Sequence, residues 1–461
     1  MRTIKKQNGH RGLIRPNLPL LAGCLTLASG GTAISQSADA LIDKLVQKGM
    51  LTLDEAKELK RESDDNFKTA YSVRSGMPDW VQSMKLNGDF RARYDGIFQD
   101  NASNATPDRN RLRYRLRFGP TITLSDHFEV GIRLASGEVG SVTGLAQPVS
   151  SAFVGNIYTA NSTLNNDAAR KPVFIDAAYA KWTPKEWCQF QFGKMDNLFW
   201  ITDAAIDYDY QPEGFQQRFS YHFNENHKVT LTAGQWVIAE NYPSSGVGNS
   251  NDIYAFLEQV DWTAKWGKRF GTRVGVSSIT YKNMGDMNPA LEAFINQNGT
   301  PAVGVGAQPF NPIIARAEAT YTLDSFPAFD GPFPITAGGE YLNNPAASDA
   351  FFVGKNYAGA NNEGYNLGVI LGSAKKRGNW QVNYNYKQLQ SAVVWHGMND
   401  DDFGFNAKGG TDVRGHHIKA FYKPADSMTV VMSYFITEQI NNAPGTRVAQ
   451  NRLFVDLMWS F

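Results

Sequence analysis

Residues 111–117 read Arg-Leu-Arg-Tyr-Arg-Leu-Arg, so Arg111, Arg113, Arg115 and Arg117 share one parity while Leu112, Tyr114 and Leu116 share the other. In an extended strand successive side chains point to opposite faces, which stacks the four guanidinium groups in a column. Arg91 and Arg93 repeat the spacing, with Asp89 on the same parity. Beside water such a column orients solvent and steers anions. The competing role is structural: the arginines pair with Asp89, Asp95 and Glu129 and hold a wall rigid. The two roles weigh about equally and do not exclude each other.

Asp203, Asp207, Asp209 and Glu213, interleaved with Tyr208 and Tyr210, fall between two extended segments. Folded inward against the arginines they would form a constriction loop and set a transverse field across a pore. The plainer expectation is an extracellular loop with solvated acids. Asp400, Asp401 and Asp402, with His396, His416 and His417, invite a metal reading. Their spacing matches neither a calcium loop nor a zinc motif, so a solvated loop is expected and no metal. No Gly-rich phosphate loop, nucleophile elbow or zinc-protease pair occurs, and Gly304-Val305-Gly306 sits in a Gly/Pro-rich loop without a following helix. No catalytic residue and no cofactor is expected, and the chain does not read as an enzyme.

The arginine column needs a strand with one wet face and one apolar face, and the chain supplies that pattern repeatedly. Leu86, Phe90, Ala92 and Tyr94 oppose Asn87, Asp89, Arg91 and Arg93; Trp380, Val382, Tyr384 and Tyr386 oppose Gln381, Asn383, Asn385 and Lys387. The chain ends on Leu453, Val455, Leu457, Trp459 and Phe461, alternating to the terminal carboxylate. One face suits lipid and the other water. The expected fold is an all-β transmembrane, antiparallel outer-membrane barrel of about 16 strands over residues 84–461, an even number that leaves both ends of the barrel on one side. Short connections such as Ser125-Asp126 and Ala425-Asp426 alternate, imperfectly, with long loops rich in Gly, Asn, Ser and Pro. In the strand near 173–183, Ile175, Ala177 and Tyr179 compete with Phe174, Ala178 and Trp182 for the outward parity, leaving its register open. Aromatic pairs at strand ends (Trp182 and Trp187, Trp262 and Trp266, Trp459 with Phe461) are expected to form interfacial girdles.

Composition agrees. The 461 residues are 19% charged and 12% aromatic, and no apolar run beyond the N-terminus is long enough for a transmembrane helix. A negative mean hydropathy does not count against a membrane barrel, whose strands average lipid-facing with water-facing residues. Residues 1–35 read as an export signal, with Arg2, Lys5, Lys6, Arg11 and Arg15 before a mostly apolar stretch. Cleavage before Gln36 is favoured over lipoprotein processing at Cys24, because the apolar stretch before Cys24 is short and broken by Pro16 and Pro19. Taking those five basic groups from 45 leaves 40 against 44 acidic groups, a net −4, so no polybasic signal for nucleic acid survives. Cys188 would then be the only cysteine, excluding an internal disulfide.

Residues 36–83 differ in character. Leu41, Ile42, Leu45 and Val46 lie at helical spacing, Gly49 stops the helix, and Thr52-Leu53-Asp54-Glu55 is a capping box opening a second. This periplasmic helical hairpin and linker is either a solvated spacer or, through residues 37–65, a contact to periplasmic or cell-wall partners.

The chain resembles the outer-membrane porin family that carries a signal peptide, a short helical N-terminal segment and a long barrel ending in Phe. The likeness rests on Asp39-Ala40-Leu41-Ile42-Asp43-Lys44-Leu45, on Gly193-Lys194-Met195-Asp196-Asn197-Leu198-Phe199-Trp200, on the stretch from Asp207 to Gly214, and on the terminal aromatic strand. Asp402-Phe403-Gly404, then Gly409-Gly410-Thr411-Asp412 and Arg414-Gly415-His416, resembles the loop before the penultimate hairpin of such porins. The resemblance implies passive diffusion of small hydrophilic solutes in the outer membrane, without naming a solute, and a water-filled lumen favouring anions if the arginines face it. The candidate partners are outer-membrane lipid, the solutes and two further copies in a homotrimer. The alternative is a non-conducting outer-membrane structural or adhesive barrel; an outer-membrane hydrolase ranks third for want of a triad.

Overall fold

A computed structural model describes residue 57 and residues 78–101, 108–143, 151–155, 159–165, 167–168, 170–240, 251–287, 309–347, 361–404, 410–441 and 447–461. The export signal and the helical hairpin lie outside these residues, apart from Lys57, which is helical and exposed. The chain divides into units Met1–Met77 and Pro78–Phe461.

The second unit is built from strands. They are β1 (Val81–Asn101), β2 (Arg109–Leu124), β3 (Phe128–Ser136), β4 (Val139–Thr143), β5 (Ser151–Gly155), β6 (Ser162–Thr163) and β7 (Val173–Lys185). There follow β8 (Cys188–Lys194), β9 (Glu213–Asn224), β10 (His227–Ala239), β11 (Ile253–Lys265), β12 (Phe270–Lys282) and β13 (Ile313–Leu323). The last are β14 (Phe333–Asn343), β15 (Glu363–Gly372), β16 (Trp380–Leu389), β17 (Val413–Ala425), β18 (Met428–Gln439) and β19 (Val448–Ser460).

Sixteen of these, β1–β3 and β7–β19, pair antiparallel with their neighbours in sequence order. The ring closes where β1 meets β19, from Asp89↔Ser460 to Asn101↔Val448, so no edge is left unpaired. Gly88 and Phe461 exchange both main-chain hydrogen bonds, at 2.9 and 3.0 Å, and carry the closure to the last residue. β4 and β5 form a separate hairpin, and β6 adds two residues beside Arg113 and Tyr114 of β2.

Short turns and long connections alternate imperfectly around the ring, as expected from sequence: residues 324–332 at the short-turn end outnumber 102–108 and 440–447 at the other. The turns after β2, β7, β9, β11, β13, β15 and β17 gather at the end that also holds both ends of the barrel chain. In such barrels that end is periplasmic.

The strands sort their side chains as alternation requires. Leu86, Leu112, Ile132, Phe192, Val276, Leu367 and Met432 are exposed on the outer face, whereas Asp95, Gln216, Gln259, Asp261, Lys387 and Arg452 are buried inside. β7 resolves its own ambiguity by a bulge: Arg133 pairs with Ala177 and Leu134 with Ile175, so Asp176 is extra. Val173 and Ile175 face out before the bulge and Trp182 after it, while Asp176 pairs with Arg133. Each competing parity holds over half the strand.

Aromatics ring the short-turn end. Trp182 stacks between Phe128 and Phe190 with ring centroids 5.6 Å away on each side, and Trp262 meets Trp266 edge-on at 5.6 Å. Rings with an apolar body and a polar tip suit the boundary of bilayer and water.

Candidate functional site

The lumen is where alternation fails to describe this barrel. On the inner face toward the long-loop end, β10, β11, β12, β14 and β16 present Trp236, Ile253, Ala255, Leu257, Ile279, Leu342 and Leu389, all almost fully buried. A water-filled tube would leave them wet. They are covered by two connections that fold inward, residues 195–212 between β8 and β9 and residues 390–412 between β16 and β17, through Phe199, Ile201, Ile206, Val393, Trp395 and Met398. The signal for this was readable: Ile253-Tyr254-Ala255-Phe256-Leu257 is apolar on both parities.

The first connection leaves the wall between Gly193 and Gly214, which face each other across β8 and β9. Both have positive φ, 119° and 141°, and a Cβ on either would run into a neighbouring strand's carbonyl oxygen, Ala178 or Gln235. Met195 N–H donates to the Pro212 carbonyl at 3.0 Å and pinches the base. The chain is then tied down strand by strand. Leu198 N–H donates to Gln216 at 3.0 Å and Trp200 N–H to Gln259 at 2.9 Å. Thr202 donates its N–H, at 3.0 Å, and its hydroxyl to the buried Glu340. Trp200 lies under both Arg273 and Arg316, 4.2 and 4.3 Å from its ring centroid.

Asp203, Asp207 and Asp209 therefore sit inside the barrel, not in the solvated extracellular loop that was the plainer expectation. Asp203 lies 2.8 Å from Lys387 of β16, and Asp209 lies 3.4 Å from Arg115 and 4.0 Å from Arg117 of β2, so the connection spans the lumen. Glu213 does not join them: it opens β9, is largely exposed and pairs with Lys194 at 3.0 Å.

The 400–402 acids are likewise inside, which corrects the solvated loop expected for them. Asp400 is buried and lies 3.0 Å from Lys387; Asp402 lies 3.0 Å from Arg452 and 3.8 Å from Arg93. The two connections are joined directly, Asp207 N–H donating to the Met398 carbonyl at 2.7 Å and Asp400 N–H to the Asp203 carbonyl at 3.0 Å. Carboxylate oxygens of Asp207, Asp400 and Asp401 come within 4.8 Å of one another. The histidines divide: His396 is buried, which pushes it down to about 4, and His416 hydrogen-bonds Tyr384 on the outer face, whereas His417 lines the same cavity as the acids.

The arginine column is largely paired. Asp95 takes Arg111 at 2.7 Å, Arg113 at 3.5 Å and Arg452 at 3.1 Å. Asp89 takes Arg115 at 2.9 Å and Arg117 at 2.8 Å. Arg93 holds Asp456 through two bonds of 2.7 and 2.8 Å. Glu129 instead takes Lys181 at 2.7 Å. Arg91 differs: Nη2 donates to Asn161 at 2.7 Å, but its buried Nε has no partner and no ion pair forms among the described residues. Asn161, beside β6, was not foreseen as part of this wall.

Between the wall and the two inward connections lies a polar cavity of 260 Å³. Arg91, Arg93 and Lys419 line one part, and Asp203, Asp207, Asp209 and Asp400–Asp402 another. Burial raises Asp207, and Asp400, Asp401 and Asp209 add repulsion that carries it well above the carboxylate range; Asp401 is raised in the same way by burial and by Asp402. Asp209 would also be raised by burial, but Arg115, Arg91, Arg117 and Arg93 outweigh this and hold it below the usual value.

No curated protein matches the chain. Solved structures with similar folds include OprB of Pseudomonas putida (TM-score 0.48, 11% identity, 84% of this chain and 96% of that one). DcaP, an outer membrane channel of Acinetobacter baumannii, matches with TM-score 0.42 and 13% identity over 85% of this chain and 99% of that one. OmpF of Salmonella typhi matches with TM-score 0.43 and 10% identity over 82% and 97%. A family described as "Putative porin" matches residues 99–302 and 292–461, nearly the whole barrel. On that match, the chain belongs to this porin family of outer-membrane β-barrel channels, which are not enzymes.

Proposed function

We propose that the protein passes small hydrophilic solutes passively down their gradients, through a passage narrowed by the two inward connections and weakly favouring anions. The observation that carries this is the charged cavity between the β1 wall and those connections, which keeps polar groups facing open space inside an otherwise apolar plug. Asp203, Asp207 and Asp209 form part of the constriction. Arg91 and Arg93 line the passage, while Asp89, Arg111, Arg113, Arg115 and Arg117 mainly stiffen its wall. Anions are favoured because Arg91 and Lys419 line the passage without a carboxylate partner among the described residues, while burial and then neighbouring acids raise Asp207 and Asp401 toward neutrality.

The lumen filling gives the alternative, a non-conducting structural or adhesive barrel, its support. Purified protein in a planar bilayer decides between them: stepwise, ohmic conductance is expected, and a folded barrel that inserts without conducting removes the channel reading.

A further inference from the structure

We propose that the cavity is a passage site for zwitterionic solutes, amino acids or short peptides, whose carboxylate meets Arg91 and Lys419 and whose ammonium meets Asp207 and Asp401. This deepens the channel reading and rests on it. Most charges facing the lumen are matched: Arg93 by Asp456, Arg115 by Asp89 and Asp209, Lys387 by Asp203 and Asp400, Arg452 by Asp95 and Asp402. Four that line the cavity have no ion pair among the described residues. They are Arg91 and Lys419 on the barrel wall, and Asp207 and Asp401 on the two inward connections.

A charged group kept out of water is costly unless something pairs with it. Arg91 is 7% exposed, and its Nε, hidden from solvent, donates to nothing among the described residues. Asp209 and Asp456 act on it only from beyond ion-pair distance. The cavity lining also carries neutral hydrogen-bonding groups, Asn161, Asn383, Asn385 and Ser433, which suit carboxylate oxygens. Asp207 and Asp401 flank Asp400 in a cluster of three carboxylates whose one paired cation, Lys387, lies on Asp400 and is shared with Asp203. An ammonium group entering there supplies the missing charge and restores their ionisation. The four groups share one cavity of 260 Å³ without pairing with each other, leaving between them room for a solute that bears both signs. That volume is just below the range of about 300–1,000 Å³ for small-molecule sites, and so fits a small solute. Sites of this kind speed passage when they hold the solute well enough to enter yet loosely enough to leave.

Swelling of proteoliposomes in L-alanine and in glycerol, solutes of similar size, tests this. Alanine should enter about tenfold faster than glycerol, the gain expected from two modest ion pairs. The double variants Arg91→Gln/Lys419→Gln and Asp207→Asn/Asp401→Asn should each bring the alanine-to-glycerol ratio toward one, and Arg91→Lys should keep it raised. A measurement needing no variant accompanies it: alanine, but not glycerol at equal concentration, should reduce the single-channel KCl current. A ratio near one in the wild type, with conductance intact, overturns the zwitterion site alone. So does a ratio that falls only in the Arg91/Lys419 variant while acetate gains as much as alanine, which marks a plain anion site. Absence of both glycerol swelling and conductance would instead sink the channel reading itself.

Discussion

Lys387 Nζ lies 2.8 Å from Asp203 Oδ1, and this pair joins the barrel wall to the connection that crosses the lumen. The same ammonium holds Asp400 of the second connection at 3.0 Å, with its side chain 1% exposed. Removing one partner of such a buried pair leaves charge stranded and costs about 3–5 kcal/mol. Lys387→Met should therefore lower the unfolding midpoint and, because both connections lose their common anchor, turn a steady open-channel current noisy. A quiet current with an unshifted midpoint would show that the apolar packing around Met398 and Ile206 holds the connections by itself.

On β2, Leu116 faces lipid opposite Phe90, while Arg115 faces inward onto Asp89. Leu116→Arg should destabilise by roughly 2–4 kcal/mol if near the bilayer midplane. Arg115→Gln should cost less, since Arg117 remains on Asp89 at 2.8 Å. Refolding titrations in lipid compare the two, and equal tolerance would contradict the assigned faces.

The ladder's members should differ in their effect on permeation. Arg113→Gln leaves Asp95 with Arg111 and Arg452, so the zero-current potential in a salt gradient should barely move. Arg91→Gln removes a cation with no carboxylate of its own and should shift that potential toward cations, more at low salt than at high salt. The reverse order would assign permeation to the paired arginines.

Asp207 and Asp401 have carboxyls raised above the ordinary value, first by burial and then by neighbouring acids. A raised carboxyl takes up its proton at a pH where ordinary carboxylates, near pKa 4, are still ionised. In the pH window above the ordinary carboxylate range the connections should lose negative charge as pH falls, so selectivity should move toward anions. Reversal potentials measured across that window should show the drift, and Asp207→Asn/Asp401→Asn should flatten it. A drift of the same size in the double variant would place the titrating groups elsewhere.

Phe461 exchanges two main-chain hydrogen bonds with Gly88 and is the last link in the seam between β1 and β19. Deleting it should reduce the fraction of chain assembled in the outer membrane, read as the heat-modifiable folded band on a gel. An unchanged fraction would mean that the pairing from Asp89 to Asn101 is enough for closure.

The barrel was legible because its information is local. Alternation depends only on neighbours in the chain, so the outward parity of Leu86, Leu112 and Val455 followed from sequence alone. Where the alternation was mixed, as in β7, a bulge at Asp176 allowed both parities, and only pairing with Arg133 and Leu134 decided which residues took each. The lumen was decided by tertiary structure almost entirely. Thr202 finds Glu340 at 138 residues' separation, and Arg93 finds Asp456 at 363. Nothing within a turn or two of the chain distinguishes an aspartate that will meet Lys387 inside a barrel from one that will meet water. The family motif beginning at Gly193 marked where the chain turns inward. What it turns toward depended on apolar inner faces supplied by six other strands, β10–β14 and β16, because burying those faces is what makes folding the connections into the lumen favourable.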